Sequence, residues 1–300
     1  MKKAFSLIEV IFVLVILGVV ASISSQIIVQ VYENYISQRA VYNVSSKTEL
    51  AINQIVNRLT YSVLDSALAK DPTNSGNYKL LSELNLVTDT NLTVLEWIGY
   101  DNDSFSAGAT PYWSGVANYE TATKSMFETA GSQLGNADTI IKNLSNTQVG
   151  LTGASQQPAV IFQPRTQDGD TINGACMGLV DANSSCIYGV SENNATSFSF
   201  TDVGKSKLIT ERYQLAWSAY ALVPVKQSNG LYDLNLHYNY QPWEGEKYDD
   251  STTSTKTLIK NISVFKFTQG GGIIQLKLCA TEDIGADYNI STCKEKAIIR

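Results

Sequence analysis

The pattern of hydrophobic and polar positions changes character twice along the chain. From Phe5 to Tyr32 it is mostly apolar and carries one charge, Glu9; the next charged residue is Glu33. About 20 apolar residues cross a bilayer as a helix, so this run predicts one membrane segment. Past it the pattern is amphipathic. Val41, Val44, Ile52, Ile55, Val56, Leu59 and Val63 recur at three- and four-residue steps, while Arg39, Lys47, Glu49, Asn53 and Arg58 fill the gaps. No glycine or proline lies between Gly18 and Pro72. The spacing therefore predicts one continuous helix from Phe5 to about Ala67, on the order of 90 Å long. Residues 5–31 form its membrane half and 32–67 an amphipathic half lying on a head formed by 68–300.

The turn cluster Asp71-Pro72-Thr73-Asn74-Ser75-Gly76 is expected to end this helix. Up to Pro158 the pattern is weak: Leu80 to Val87 and Leu92 to Ile98 are short apolar pieces, with a strand expected at Leu95–Ile98 and short helices at Glu120–Ala130 and Ala137–Leu144. The later half reads as β, with strands at Val160–Phe162, Ser197–Phe200 and within Leu208–Val225. Tyr232, Leu234, Leu236, Tyr238 and Tyr240 alternate with Asp233, Asn235, His237, Asn239 and Gln241, the mark of a strand with one wet face. A polar loop from Gln241 to Ser254 follows. Leu258–Thr268 and Ile273–Cys279 flank Gly270-Gly271-Gly272 as a hairpin, and Lys296–Ile299 predicts a last strand. Strands in hairpin order behind a helix imply an α+β fold, the long helix packed on an antiparallel sheet.

The start of the chain holds the most specific motif. Lys2 and Lys3 precede Ala4-Phe5-Ser6-Leu7-Ile8-Glu9-Val10. This resembles the N-terminal signal of type IV pilins and type II secretion pseudopilins, in which a short basic leader ends in a small residue and the mature chain begins with Phe and has Glu fifth. The resemblance covers about the first fifth of the chain. It implies a leader of Met1 to Ala4, cleavage by a prepilin peptidase between Ala4 and Phe5, N-methylation of Phe5, and Glu9 at the fifth mature position. The family usually has Gly before the cut; Ala4 is also small. The family also implies that Glu9 pairs with the amine of a neighbouring subunit's first residue, here Phe5, and that the partners are other pilins or pseudopilins. Glu9 is unlike the large tip subunit, which typically lacks this residue. A single long helix before a head of many strands looks more like the J-type minor pseudopilin.

A carboxylate costs roughly 2.5–3.5 kcal/mol at the centre of a membrane helix, so Glu9 needs either such a partner or access to the headgroup region. A secretory signal peptide with Val19-Val20-Ala21 as its cleavage site is the competing description, but Glu9 would interrupt its apolar stretch, which is also too long. The two lysines place the N-terminus in the cytoplasm. The head then lies outside the cytoplasm, which the resemblance makes the periplasm of a bacterial inner-membrane protein.

Charge excludes one class of partner. The chain carries −6 formally, and −8 once Lys2 and Lys3 are lost, whereas nucleic-acid surfaces need clustered cations. The four cysteines form two local pairs, Cys176 with Cys186 and Cys279 with Cys293; three pairings are possible in principle, and the local ones are favoured in an oxidising compartment. No Cys-x-x-Cys occurs and His237 is the only histidine, so no zinc site is expected. His237 reads as an ordinary surface residue on the wet face, and Gly270–Gly272 as a turn rather than a phosphate cradle. Asp168-Gly169-Asp170 with Asn173 offers oxygen ligands for calcium but matches no defined loop, and a polar turn is the simpler reading. No cofactor and no enzymatic activity are expected. The alternative from another class is a periplasmic enzyme or binding protein that uses the helix only as a tether, and it requires a catalytic cluster or pocket in the head.

Overall fold

The computed structural model describes residues 6–163, 166–167, 170–180, 184–202, 207–285 and 289–299. A long helix, α1 (Leu7–Thr60), precedes β1 (Leu68–Asp71), β2 (Asn74–Leu80), β3 (Val94–Tyr100), the one-turn α2 (Asn102–Phe105), β4 (Met126–Glu128), α3 (Leu134–Leu144) and β5 (Ala159–Gln163). Then come the short pair β6 (Thr166–Gln167) and β7 (Asp170–Thr171), β8 (Tyr188–Asn194), β9 (Ser197–Phe200), β10 (Arg212–Lys226), β11 (Tyr232–Tyr240), β12 (Ser254–Gly270), β13 (Ile273–Asp283) and β14 (Asn289–Ile299). Among the described residues twelve strands join one sheet in the order β14-β13-β12-β11-β10-β5-β8-β9-β4, with β1 to β3 attached through β3 to β10. The class is α+β, with the helix packed on an antiparallel sheet.

Strand β10 holds the sheet together because both its edges are used. On one edge Arg212 to Ala216 pair with β5 and Ala219 to Lys226 with β11, while on the other Ala216 to Leu222 meet β3. The four C-terminal strands follow as hairpins. The turn between β12 and β13 is Gly271-Gly272, both with positive φ, 59° and 80°, which is the mirror-image turn that tight hairpins favour and only residues like glycine adopt freely.

Helix α1 ends at Thr60, short of the expected Ala67. Val63 fits the helical spacing, yet β3 captures the backbone first: Tyr100 N–H donates to the Tyr61 carbonyl at 2.8 Å and Val63 N–H to the Ile98 carbonyl at 2.7 Å. The Asp71–Gly76 cluster consequently sits between β1 and β2, where it forms the hairpin turn rather than the helix stop. Glu120–Ala130 is not helical; its centre is β4, paired with β9 through Phe127 and Phe198. The helix expected over Ala137–Leu144 is present as α3, which starts three residues earlier at Leu134.

The sheet carries different layers on its two faces. On one face Ala51, Ile52, Ile55 and Leu59 of α1 pack with Leu95, Trp97, Leu222, Leu234, Leu236, Leu276 and Leu278. On the other, Leu68, Ile98, Ala219 and Tyr240 are covered by Met177, Leu179, Ile187 and Trp243. A third cluster at the far end is aromatic, with Phe127 within 5.5 Å, centroid to centroid, of Phe162, Phe198, Phe200 and Tyr213.

The expected alternation in β11 fails at its end. Asn239 takes a left-handed conformation, φ 62°, as the extra residue of a bulge, since Tyr238 pairs with Tyr220 while Tyr240 pairs with the adjacent Ala219. Tyr240 is thereby turned from the α1 face to the opposite face, and Asn239, expected to be wet, is buried.

Candidate assembly helix

The first turn of α1 is locally determined. Ser6 is the N-cap, its Oγ accepting the Glu9 N–H at 3.3 Å and its carbonyl accepting the same N–H at 3.1 Å. Ser-x-x-Glu just before an apolar run is a capping signature, a signal present in the sequence beside the motif that drew attention to Glu9. Glu9 occupies the third helical position, where the unpaired N–H groups and the helix dipole favour negative charge. The leader, Ala4 and Phe5 lie outside the described residues.

Every residue from Leu7 to Tyr35 is exposed. The segment contains Leu7, Ile8, Val10, Ile11, Phe12, Val13, Leu14, Val15, Ile16 and Leu17 in near-continuous run, each about half or more accessible. At 1.5 Å per residue it is about 43 Å long, enough to cross a hydrocarbon layer of about 30 Å with tilt. So large an apolar surface is not stable in water. It requires lipid or other helices around it.

The docked half begins at Ala40. Ala40, Val44, Thr48, Ala51, Ile52, Ile55 and Leu59 form the buried stripe, and the small Ala40, Thr48 and Ala51 let the helix approach the sheet. Thr48 satisfies its hydroxyl by donating to the Val44 carbonyl at 2.6 Å. Val41, placed in the stripe by spacing, faces outward, 46% accessible. The flank is ionic: Lys296 Nζ lies 2.9 Å and Lys294 Nζ 3.6 Å from the Glu49 carboxylate, both on β14, and Lys47 reaches Glu282 of β13 at 3.2 Å. The hydrogen bond from Lys296 holds the Glu49 carboxyl below its ordinary range.

A tethered enzyme would need catalytic chemistry in the head. His237 does not stand on an open face. Its Nδ1 is 2.7 Å from the Tyr248 carbonyl and 3.2 Å from Thr255 Oγ1, and the ring meets Tyr248 edge-on. The loop after β11 folds back over the expected wet face, and burial lowers the imidazole pKa. A hollow of about 380 Å³ lies by the end of α1, lined in part by Arg58, Tyr61, Tyr100, Trp217, Tyr220 and Tyr238; its lining has no Ser, Cys or His. Among the described residues no group of three His, Cys, Asp or Glu side chains is placed to hold a metal. Of the calcium candidates, Asp168 and Gly169 lie outside the described residues, and the Asn173 side chain accepts the Ala175 N–H at 2.9 Å as a helical cap.

The structure joins Cys176 to Cys186 and Cys279 to Cys293. The second pair links directly opposed residues of β13 and β14, the two strands on which α1 mainly rests.

Neither the curated proteins nor the solved structures yield a match to this chain. Residues 1–25 do match a family model, the prokaryotic N-terminal methylation motif, and the chain therefore begins with a signal of the type IV pilin and pseudopilin kind.

Proposed function

We propose that the protein is a minor pilin-like structural subunit of a type II secretion pseudopilus or type IV pilus. Prepilin peptidase cuts between Ala4 and Phe5 and Phe5 is methylated. The subunit is held in the inner membrane with its N-terminus in the cytoplasm and its head in the periplasm, and α1 carries it into the filament among other pilins or pseudopilins. The observation that carries this reading is the continuity of the methylation motif with an exposed apolar helix whose sole charge before Glu33 is Glu9. In a filament, the Phe5 amine of a neighbour supplies the cation that Glu9 lacks among the described residues of its own chain. The long helix followed by a many-stranded sheet supports a J-type minor pseudopilin. The head's work is then to present surface rather than to catalyse.

The test is Glu9→Leu in the native host. The assembly reading expects normal processing, anchoring and head folding, with loss of cross-linking to partner pilins and of the secretion or pilus phenotype. Equal performance of wild type and variant in both assays would leave α1 as a tether only.

A further inference from the structure

On the sheet face opposite α1, an amine and a carboxyl group are buried against each other. Lys70 of β1 and Glu96 of β3 are diagonal neighbours on one face of an antiparallel pair, since Leu68 stands opposite Glu96 and Lys70 opposite Val94. Their side chains are 6% and 2% exposed. Lys70 Nζ touches Glu96 Oε2 and donates to the Leu179 carbonyl. The Tyr240 hydroxyl donates to Glu96 Oε1 at 2.7 Å. That hydroxyl is there because the bulge at Asn239 turns Tyr240 to this face. Among the described residues Oε2 has no partner other than Nζ, so the amine and the carboxyl group are held directly against each other.

We propose that Lys70 and Glu96 become joined by an isopeptide bond, formed by the folded chain itself. A buried ion pair of this kind is costly, and low polarity favours moving a proton from Nζ to Oε2 to give a neutral amine and a neutral acid. Burial drives the Glu96 carboxyl in that direction, pushing its pKa up against the opposing influence of Lys70. The neutral amine then attacks Cδ. The Nζ–Cδ bond forms, the Cδ–Oε2 bond breaks, and Oε2 leaves with its own proton and one from Nζ as water; ammonium and carboxylate become amide and water with no oxidant or other reagent. Tyr240 stabilises the developing charge on Oε1 by the hydrogen bond it already makes. A cleft of about 200 Å³, lined by Lys70 and Glu96 together with Tyr248 and Asp249, receives the water. The product satisfies its surroundings better than the ion pair does. Its single N–H keeps the Leu179 carbonyl, its carbonyl oxygen keeps Tyr240, and the two buried charges are gone.

The experiment is mass spectrometry on the full, detergent-solubilised chain after reduction of its disulfides. The expected result is a mass lower by one water, a tryptic species joining the Lys70 and Glu96 peptides, and no cleavage after Lys70. Lys70→Met and Glu96→Ala should restore the uncoupled mass. Tyr240→Phe, which keeps the ring, should slow coupling on the order of a hundredfold in pulse-chase samples, the loss expected from removing one such donor. A wild-type chain at full mass with free Lys70 peptides overturns the proposal whether or not the variants fold. Coupling that survives in Glu96→Ala, or runs at the wild-type rate in Tyr240→Phe, overturns the assignment of the bond or of the donor.

Discussion

The junction between α1 and the sheet makes a quantitative prediction through Ile52. Its side chain is fully buried in the cluster with Leu222, Leu234, Leu276 and Leu278, midway along the docked stripe. Ile52→Ala removes everything beyond Cβ, about 2.4 kcal/mol at about 0.8 kcal/mol per buried methylene. A residual cavity adds to this, because strands fixed by their ladders close only partly, so the total loss should be about 3–4 kcal/mol, inside the usual range of about 2–5 kcal/mol. Val41→Ala is the internal control. Val41 has the same helical spacing and apolar character, but it faces outward, 46% accessible, and should cost under about 0.5 kcal/mol. The assay is urea unfolding of the detergent-solubilised protein followed by tryptophan fluorescence, since Trp97 lies in the same cluster. Equal losses for the two variants, or a loss at Ile52 below about 1 kcal/mol, would refute the docking register described for α1.

Three further outcomes are expected. Mass spectrometry of protein from its native host should find N-methyl-Phe5 at the amino terminus; a chain starting at Met1 or Ser22 would contradict this. Non-reducing peptide mapping should recover Cys176 with Cys186 and Cys279 with Cys293, and reduction should cost about 2–4 kcal/mol per bridge. Burial raises the Asp101 carboxyl from 3.8 to about 6 against the hydrogen bonds from Ser104; the neutral acid's stabilising advantage is therefore complete below about pH 4 and is lost as pH rises through about 6, on the order of 2–3 kcal/mol. Asp101→Asn keeps a side chain able to cap α2 and should flatten that pH dependence of the unfolding midpoint.

What was legible in the sequence was what depends on neighbours a few residues away. The apolar run, the amphipathic stripe and the Gly271-Gly272 hairpin are local, and the helix and the C-terminal strands were readable from them. The end of α1 was not, because Val63 has the spacing of a helical core residue and only the pairing of Tyr61 and Val63 with β3 pulls it away. The region between β3 and β5 was opaque for the same reason: β4 has three residues and exists through β9, some seventy positions later in the chain. Lys70 and Glu96 gave no signal, since a charge on a strand ordinarily marks the wet face. Their burial follows from Met177, Leu179 and Trp243 covering that face, and from the bulge at Asn239 that delivers Tyr240. Of the candidate assembly residues, Glu9 was visible as the lone charge in an apolar run, whereas the residues that fix α1 to the head, Glu49 with Lys294 and Lys296, could be paired only once β14 lay beside the helix.

The two halves of α1 place a constraint on any assembly. The exposed half from Leu7 and the docked half ending at Leu59 belong to one helix, with Gly18 as the last glycine before the head and no proline between. A helix advances 1.5 Å and turns about 100° per residue, so whatever fixes the helix after Gly18 also fixes the height and facing of the sheet. The docked stripe spans Ala40 to Leu59 and is flanked by ion pairs to β13 and β14, which leaves the head little freedom to swivel about α1. Slack is confined to the exposed half. There Gly18 has no heavy atom within 4 Å of where a Cβ would sit, and it weakens the helix by about 1 kcal/mol relative to Ala. On the proposed reading, bending at Gly18 adjusts the membrane segment among its neighbours while the segment after it and the head move as one body. A register set on the helix after Gly18 is then carried to the sheet by α1 alone.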